Sequence, residues 1–272
     1  MIPCKNCGAL LSGKYCSACG QKAYTEKDKS IGHLLEEGFH FLTHFEGSFF
    51  TTLKTVLRRP GKLTADYSDG IRKRYFKPVS FYLFIVVLYL VFPLARGLNM
   101  DMQYYKGLRL AGPAIERQIE KKAAQKNITE AQLGEPFLHK SHSTSKILLF
   151  LLIPLSAVLI RLLYPGRKRQ AFDNLILATE INIIYLLVFY LLLPGLYYLA
   201  LWVLHSNGIS DEVIGLLFTL LFSLYVTLIF RNFFQSKPFT ALLKGLAFGL
   251  LHAFVVLPVY KASVFEITML LL

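Results

Sequence analysis

Between Lys77 and Arg96 the chain runs for eighteen residues, PVSFYLFIVVLYLVFPLA, without a charged side chain. At about 1.5 Å per residue such a run makes roughly 27 Å of helix, close to the thickness of a bilayer core. Four more apolar runs follow, at 147–164, 181–204, 213–230 and about 241–260. Arg161 and Lys244 fall near the ends of two of these runs. A long basic side chain there reaches the interface while its stem stays in the apolar layer. Composition agrees, since 54% of the 272 residues are hydrophobic, well above a globular average. The pattern predicts an all-α membrane protein, with about five transmembrane helices across 78–272 and a polar N-terminal part. The first apolar stretch long enough for a cleaved signal peptide starts near residue 79, so none is expected.

The balance of 30 Lys+Arg against 17 Asp+Glu fits nucleic acid, an anionic membrane surface or retention of basic loops in the cytoplasm. Its distribution decides among them. Thirteen cations lie in residues 1–77. Arg161, Arg167, Lys168 and Arg169 sit between the second and third runs, and Arg231, Lys237 and Lys244 between the fourth and fifth, whereas HSNGISDE between the third and fourth has none. That alternation predicts a cytoplasmic N-terminus and an external C-terminus. Residues 96–146 run against it, with nine Lys+Arg and five Asp+Glu on the side assigned to the exterior. Were that loop cytoplasmic, the first run would be a hairpin or no span at all. Within it, PAIERQIEKKAAQKN reads as a surface helix with Pro113 near its start. The final ASVFEITMLLL is too short to span; it either prolongs the fifth helix or lies against the bundle.

All four cysteines stand in the first twenty-one residues, as Cys4-x2-Cys7-Gly8 and Cys16-x2-Cys19-Gly20. This spacing lets backbone N–H groups point at the sulfurs, and each glycine supplies the tight turn. About twenty residues cannot bury a stable core, whereas a bound metal contributes roughly 10–16 kcal/mol of folding free energy in such peptides. Residues 1–24 are therefore read as a zinc-ribbon-like module with a structural zinc on Cys4, Cys7, Cys16 and Cys19. Two disulfides would require an oxidising compartment, which the charge pattern does not assign to this end. An iron site of rubredoxin type and a redox dithiol are the remaining alternatives. Four thiolates leave no open position for a catalytic water.

From Ser30 to Pro60-Gly61 the sequence has the period of an amphipathic helix. Ile31, Leu34, Leu35, Phe39, Leu42, Phe45, Phe49, Leu53 and Val56 fall on one face. His33, Glu37, His40 and His44 share an arc of about 60° nearly opposite, alongside Thr51, Thr55 and Arg58. That arc reads as a solvated polar face, with a second metal site as the sharper alternative. Arg58, Arg59, Lys62, Arg72, Lys73, Arg74 and Lys77 then lead into the first apolar run. Cations so placed attract anionic lipid headgroups, which makes residues 30–77 a juxtamembrane anchor. Nucleic acid would require a soluble platform and is the weaker reading.

These stretches carry a resemblance. YCSACGQ, then TLKTVLRRPGKLTADYSDGIRKRYFKP, then apolar spans, is similar to the bacterial multi-pass membrane proteins grouped as domain of unknown function 3667. The likeness is specific from Cys16 to Pro78 and looser through RKRQAFDNLILATEI and the later spans. It implies a bacterial cytoplasmic membrane protein with a zinc-ribbon-like start, and it brings no established activity with it.

Ionisable and polar groups at membrane depth are the remaining candidates. Glu180 and Asn182 fall at the start of the third run, after Asp173, and His252 in the fifth, after Gly245-x3-Gly249. They suit either an ion or proton pathway or a structural role, with Glu180 paired to Arg161 or Arg231 and His252 bonded across a helix interface. No hydrolase elbow, zinc-protease, phosphate-loop or dinucleotide motif occurs. The favoured reading is a scaffold, adaptor or regulator that contacts lipid and, through the knuckle, a protein partner. A small transporter or channel is second, and a membrane-embedded lipid enzyme third.

Overall fold

The apolar runs fold as helices, several of which outreach their charge-free cores. The computed structural model describes residues 2–23, 47–92, 94, 98–107, 112–165, 171–205 and 208–272. Within these residues the helices are α1 (Gly47–Arg58), α2 (Lys62–Ser68), α3 (Pro78–Val91), α4 (Met102–Tyr105), α5 (Gly112–Lys126), α6 (Glu130–Leu163), α7 (Ala171–Leu204), α8 (Asp211–Phe234) and α9 (Pro238–Leu271). Two isolated bridges, Pro3 with Leu10 and Tyr15 with Lys22, are the β pairing among the described residues.

Helices α6, α7, α8 and α9 are long and apolar enough to cross a membrane, and α3 is a shorter apolar helix of 14 residues, about 21 Å. The run expected at 147–164 is only the second half of α6, which begins at Glu130 behind a capping box between Thr129 and Gln132. The third run begins earlier than 181, at Ala171, which brings Asp173 and Glu180 inside the helix. The fifth continues past 260 to Leu271, so ASVFEITMLLL prolongs it.

Three prolines inside these helices coincide with irregular turns, whereas Pro136 stands in an uninterrupted α-helical stretch of α6. A helical proline lacks an N–H and its ring pushes on the carbonyl four residues back. That residue is Phe150 for Pro154, Tyr190 for Pro194 and Phe254 for Pro258. Each falls in a non-α turn: a 3₁₀ turn at Leu149–Leu151, and π turns at Tyr185–Leu192 and His252–Val256. An i→i+5 ladder sets residues five apart on nearly the same side. The Tyr185 and Tyr190 hydroxyls accordingly lie 3.2 Å apart.

Helix α7 is central, with 78% of its apolar window buried against 28% for α8 and for α9. Leu216, Leu220, Leu224 and Leu228 of α8, one turn apart, are all exposed; such an outward apolar stripe suits lipid rather than water. Helices α8 and α9 meet through small residues. A Cβ on Gly245 would lie 2.1 Å from Thr227 Oγ1, and one on Gly249 1.8 Å from Ser223 Oγ. This is the close approach that small-x3-small spacing permits.

The two ends of the bundle differ. At one, α1 and α2 pack on α7 and α8, Tyr67 stacks on Phe172, and Tyr164 stacks on Phe234. At the other, α4, α5 and the start of α6 surround the end of α9, with Tyr105, Phe137 and Phe265 in mutual ring contact. The charged segment 96–146 thus contributes α5 and its small core to the end opposite α1 and α2.

Candidate functional site

The N-terminal module consists of two copies of one turn, twelve residues apart. Gly8 N–H donates to Cys4 O and Gly20 N–H to Cys16 O, both at 2.8 Å, and the two glycines have φ of +78° and +70°. Cys4 N–H donates to Ala9 O and Cys16 N–H to Gln21 O, again at 2.8 Å. Both turns therefore aim their sulfurs at one point. Cys4 Sγ is 3.7 Å from Cys19 Sγ, Cys7 Sγ is 3.6 Å from Cys16 Sγ, and all four lie within 4.8 Å of one another. Those separations are too long for disulfides, and all four cysteines are free. Sulfurs at about 2.3 Å from one tetrahedral ion would stand about 3.8 Å apart, so the four thiols fit a metal ion. The main-chain N–H of Gln21, next to the Cys19 sulfur, holds that thiol below its ordinary range, at about 6.

Gln21 also leaves the knuckle. Its Nε2 donates to Gly70 O at 2.7 Å, and its Oε1 accepts from Arg72 N–H at 3.2 Å and Lys73 N–H at 3.0 Å. The loop it grips is built to be gripped. Helix α2 ends in a Schellman turn, with Gly70 at φ +90°, Gly70 N–H on Tyr67 O and Ile71 N–H on Asp66 O. That turn uses the N–H groups of Gly70 and Ile71 and leaves Gly70 O and the N–H groups of Arg72 and Lys73 to Gln21. Gln21 closes the YCSACGQ stretch and was not among the candidate residues of the sequence. The signal present was a glutamine placed directly after a cysteine turn.

The other end of α2 is held from inside the bundle. Glu180 of α7 is fully buried; its Oε1 accepts Gly61 N–H at 2.8 Å, and its Oε2 accepts Thr64 N–H at 2.9 Å and Thr64 Oγ1–H at 2.5 Å. A carboxylate thus satisfies donors of the first turn of α2, where the helix dipole also favours negative charge. The expected pairing of Glu180 with Arg161 or Arg231 is replaced by these donors. Gly61 has φ +80°, and a Cβ there would meet Ile229 O at 2.9 Å. Asn232 Nδ2 donates to Pro60 O, and the Tyr225 hydroxyl to Val56 O, so α8 also binds the RPG turn.

Helix α1 departs from the helical-wheel expectation. Phe49 and Val56 are buried as foreseen, but Thr55 of the polar arc is buried too, so that side is not wholly solvated; Thr52, within the apolar arc, is also buried. Thr52 Oγ1 accepts Phe76 N–H and donates to Ser48 O, each at 2.8 Å, and so ties α1 to the entry of α3. The residues His33, Glu37, His40 and His44 lie outside the described residues.

The seven juxtamembrane cations divide into two groups. Lys62 pairs with Asp66 at 2.9 Å, and the Arg72 guanidinium lies 4.9 Å from the Tyr67 ring centre and 5.3 Å from that of Phe172. Arg58 and Arg59 at the end of α1, and Lys73, Arg74 and Lys77 just before α3, are exposed. Behind them Tyr75 donates to Asp66 Oδ2 at 2.5 Å, and burial together with that carboxylate pushes the phenol up to about 12.

The remaining polar candidates have separate surroundings. Asn182 Nδ2 donates to Leu152 O, Ser156 Oγ and Ala178 O, which joins α7 to α6. His252 sits among the rings of Tyr185, Phe222 and Phe248, the nearest centroid at 4.6 Å, and among the described residues its Nε2 has no hydrogen-bond partner. Among the described residues, the hydrogen bonds of Glu180, those of Asn182 and the ring contacts of His252 share no partner.

A family model described as protein of unknown function (DUF3667) matches residues 46–90, which is the segment from α1 through α2 and the gripped loop into α3. No curated protein and no solved structure matches this chain.

Proposed function

We propose that this is a non-enzymatic multi-pass protein of a bacterial cytoplasmic membrane. A structural zinc on Cys4, Cys7, Cys16 and Cys19 holds a cytoplasmic head, and the juxtamembrane cations seat that head on anionic headgroups. The knuckle serves a scaffold, adaptor or regulator by presenting a surface to a protein partner. The observation that carries this reading is Gln21: one side chain fastens the thiol module to the loop from which Lys73 and Arg74 project. The head is then part of the membrane domain's basic face rather than a free tether.

Zinc is favoured because four thiolates at these separations suit a closed tetrahedral site, and because that site has no place for substrate. The cytoplasmic assignment rests on the thirteen cations of residues 1–77. Each cation near an anionic surface contributes about 1 kcal/mol, so five exposed ones make a strong preference at low salt.

Lipid retention by the full-length protein in detergent tests the headgroup reading. After exposure to an equal mixture of phosphatidylglycerol and phosphatidylcholine, bound lipid measured by mass spectrometry is expected to be enriched in the anionic species. The variant with Arg58, Arg59, Lys73, Arg74 and Lys77 all changed to Gln is expected to lose that enrichment. Equal retention of the two lipids by the unaltered protein would overturn it.

A further inference from the structure

Gln21 belongs to two structures at once. Its backbone closes the second cysteine turn through Cys16 N–H, and its N–H faces the Cys19 sulfur. Its side chain makes three hydrogen bonds to the backbone of Gly70, Arg72 and Lys73. The main chain that carries the exposed Lys73 and Arg74 is therefore set by a residue whose own position depends on the four thiols converging.

We infer that metal binding at the knuckle and headgroup binding at the cationic loop are coupled through Gln21, so that the metal-loaded head arranges Lys73 and Arg74 for an anionic lipid surface and the metal-free head does not. This rests on the headgroup reading given above. A module of about twenty residues without a core of its own loses its turn when the metal leaves. The Gln21 amide then no longer holds the loop, and the N–H groups of Arg72 and Lys73 lose their acceptor, while the Schellman turn, the packing of Arg72 on Tyr67 and Phe172 and the bond from Tyr75 N–H to Arg72 O remain. Coupling of this kind is reciprocal: headgroup contact that favours the gripped loop also favours the folded knuckle and its metal. The amide is the right group for the task because it offers a donor and an acceptor together, matching the carbonyl of Gly70 and the two N–H groups beyond it.

The test uses the full chain in detergent, in four states: zinc-loaded, zinc-stripped by chelation, Gln21→Ala with zinc, and Gln21→Ala stripped. Two quantities are read, hydrogen exchange of a peptide covering residues 69–77 and the anionic-to-neutral lipid ratio. Zinc removal is expected to deprotect the peptide and to lower the lipid ratio by about fivefold or more, the lower end of ordinary allosteric coupling. Gln21→Ala is expected to keep one zinc per chain, to show the deprotected peptide and the lowered ratio already, and to change little further on stripping. An unchanged ratio in Gln21→Ala, or a Gln21→Ala protein that still responds fully to zinc, overturns the coupling. If exchange follows Gln21 while no state prefers anionic lipid, the headgroup reading has failed and the lipid half of the coupling falls with it.

Discussion

Glu180 lies inside the apolar helix α7, yet every hydrogen bond it accepts in the structure comes from the segment that precedes the membrane. Changing it to Gln replaces the acceptor of at least one of three buried donors with an amide N–H. The expected cost is about 1–3 kcal/mol, read as a lower melting midpoint in detergent. Gly61→Ala strains the same turn twice, through its φ of +80° and through the Ile229 carbonyl at 2.9 Å. About 2–4 kcal/mol is expected there, checked by the same measurement. Tyr75 gives a pH signature. Its folded-state value, about 12, lies above the ordinary phenol value near 10, so its stabilising bond to Asp66 is fully present below pH 10 and is lost as pH rises toward 12. Tyr75→Phe should melt below the parent at pH 7, and the gap should narrow across that alkaline window. A gap that is constant or grows there would show that the phenol's proton is not what the fold holds.

At the scale of elements, α8 and α9 depend on two glycines. Gly249→Ala places a methyl 1.8 Å from Ser223 Oγ, so the helices must part or the serine must move. A marked loss of folded yield is expected, with partial recovery in the double variant that also carries Ser223→Gly, measured by size-exclusion profile and melting. Metal content isolates the knuckle as an element. One zinc per chain is expected in the parent, none in Cys4→Ser/Cys7→Ser, and one still in His33→Ala/His40→Ala/His44→Ala. The apolar helices and the cysteine turns were readable because each is specified by spacing along the chain. The docking of α2 was not, since Glu180 and Gln21 bind backbone groups, and a backbone amide leaves no mark in the sequence. Thr55 misled for a related reason: it falls in the polar arc of the wheel, yet the fold buries it. The prolines at 154, 194 and 258 did carry a signal for the irregular turns, which hydropathy alone passes over.

For the whole molecule, the alternation of basic loops and the packing of the helices point the same way. The knuckle, α1, α2 and the start of α7 gather at one end, and α5 gathers with the end of α9 at the other, where Gln118 meets Glu266 and Lys122 meets Met269 O. A head on one side of the membrane and the 112–126 helix on the other requires α3 to cross despite its short apolar length, with the Arg and Lys side chains around its start reaching into the headgroup layer. The sidedness of one introduced thiol tests this most directly. Lys121→Cys lies on exposed α5, and in intact cells it should react with a membrane-impermeant maleimide, while the knuckle cysteines react only after permeabilisation and metal removal. Protection of Lys121→Cys in intact cells, or labelling of the knuckle from outside, would contradict a membrane protein with a cytoplasmic metal head.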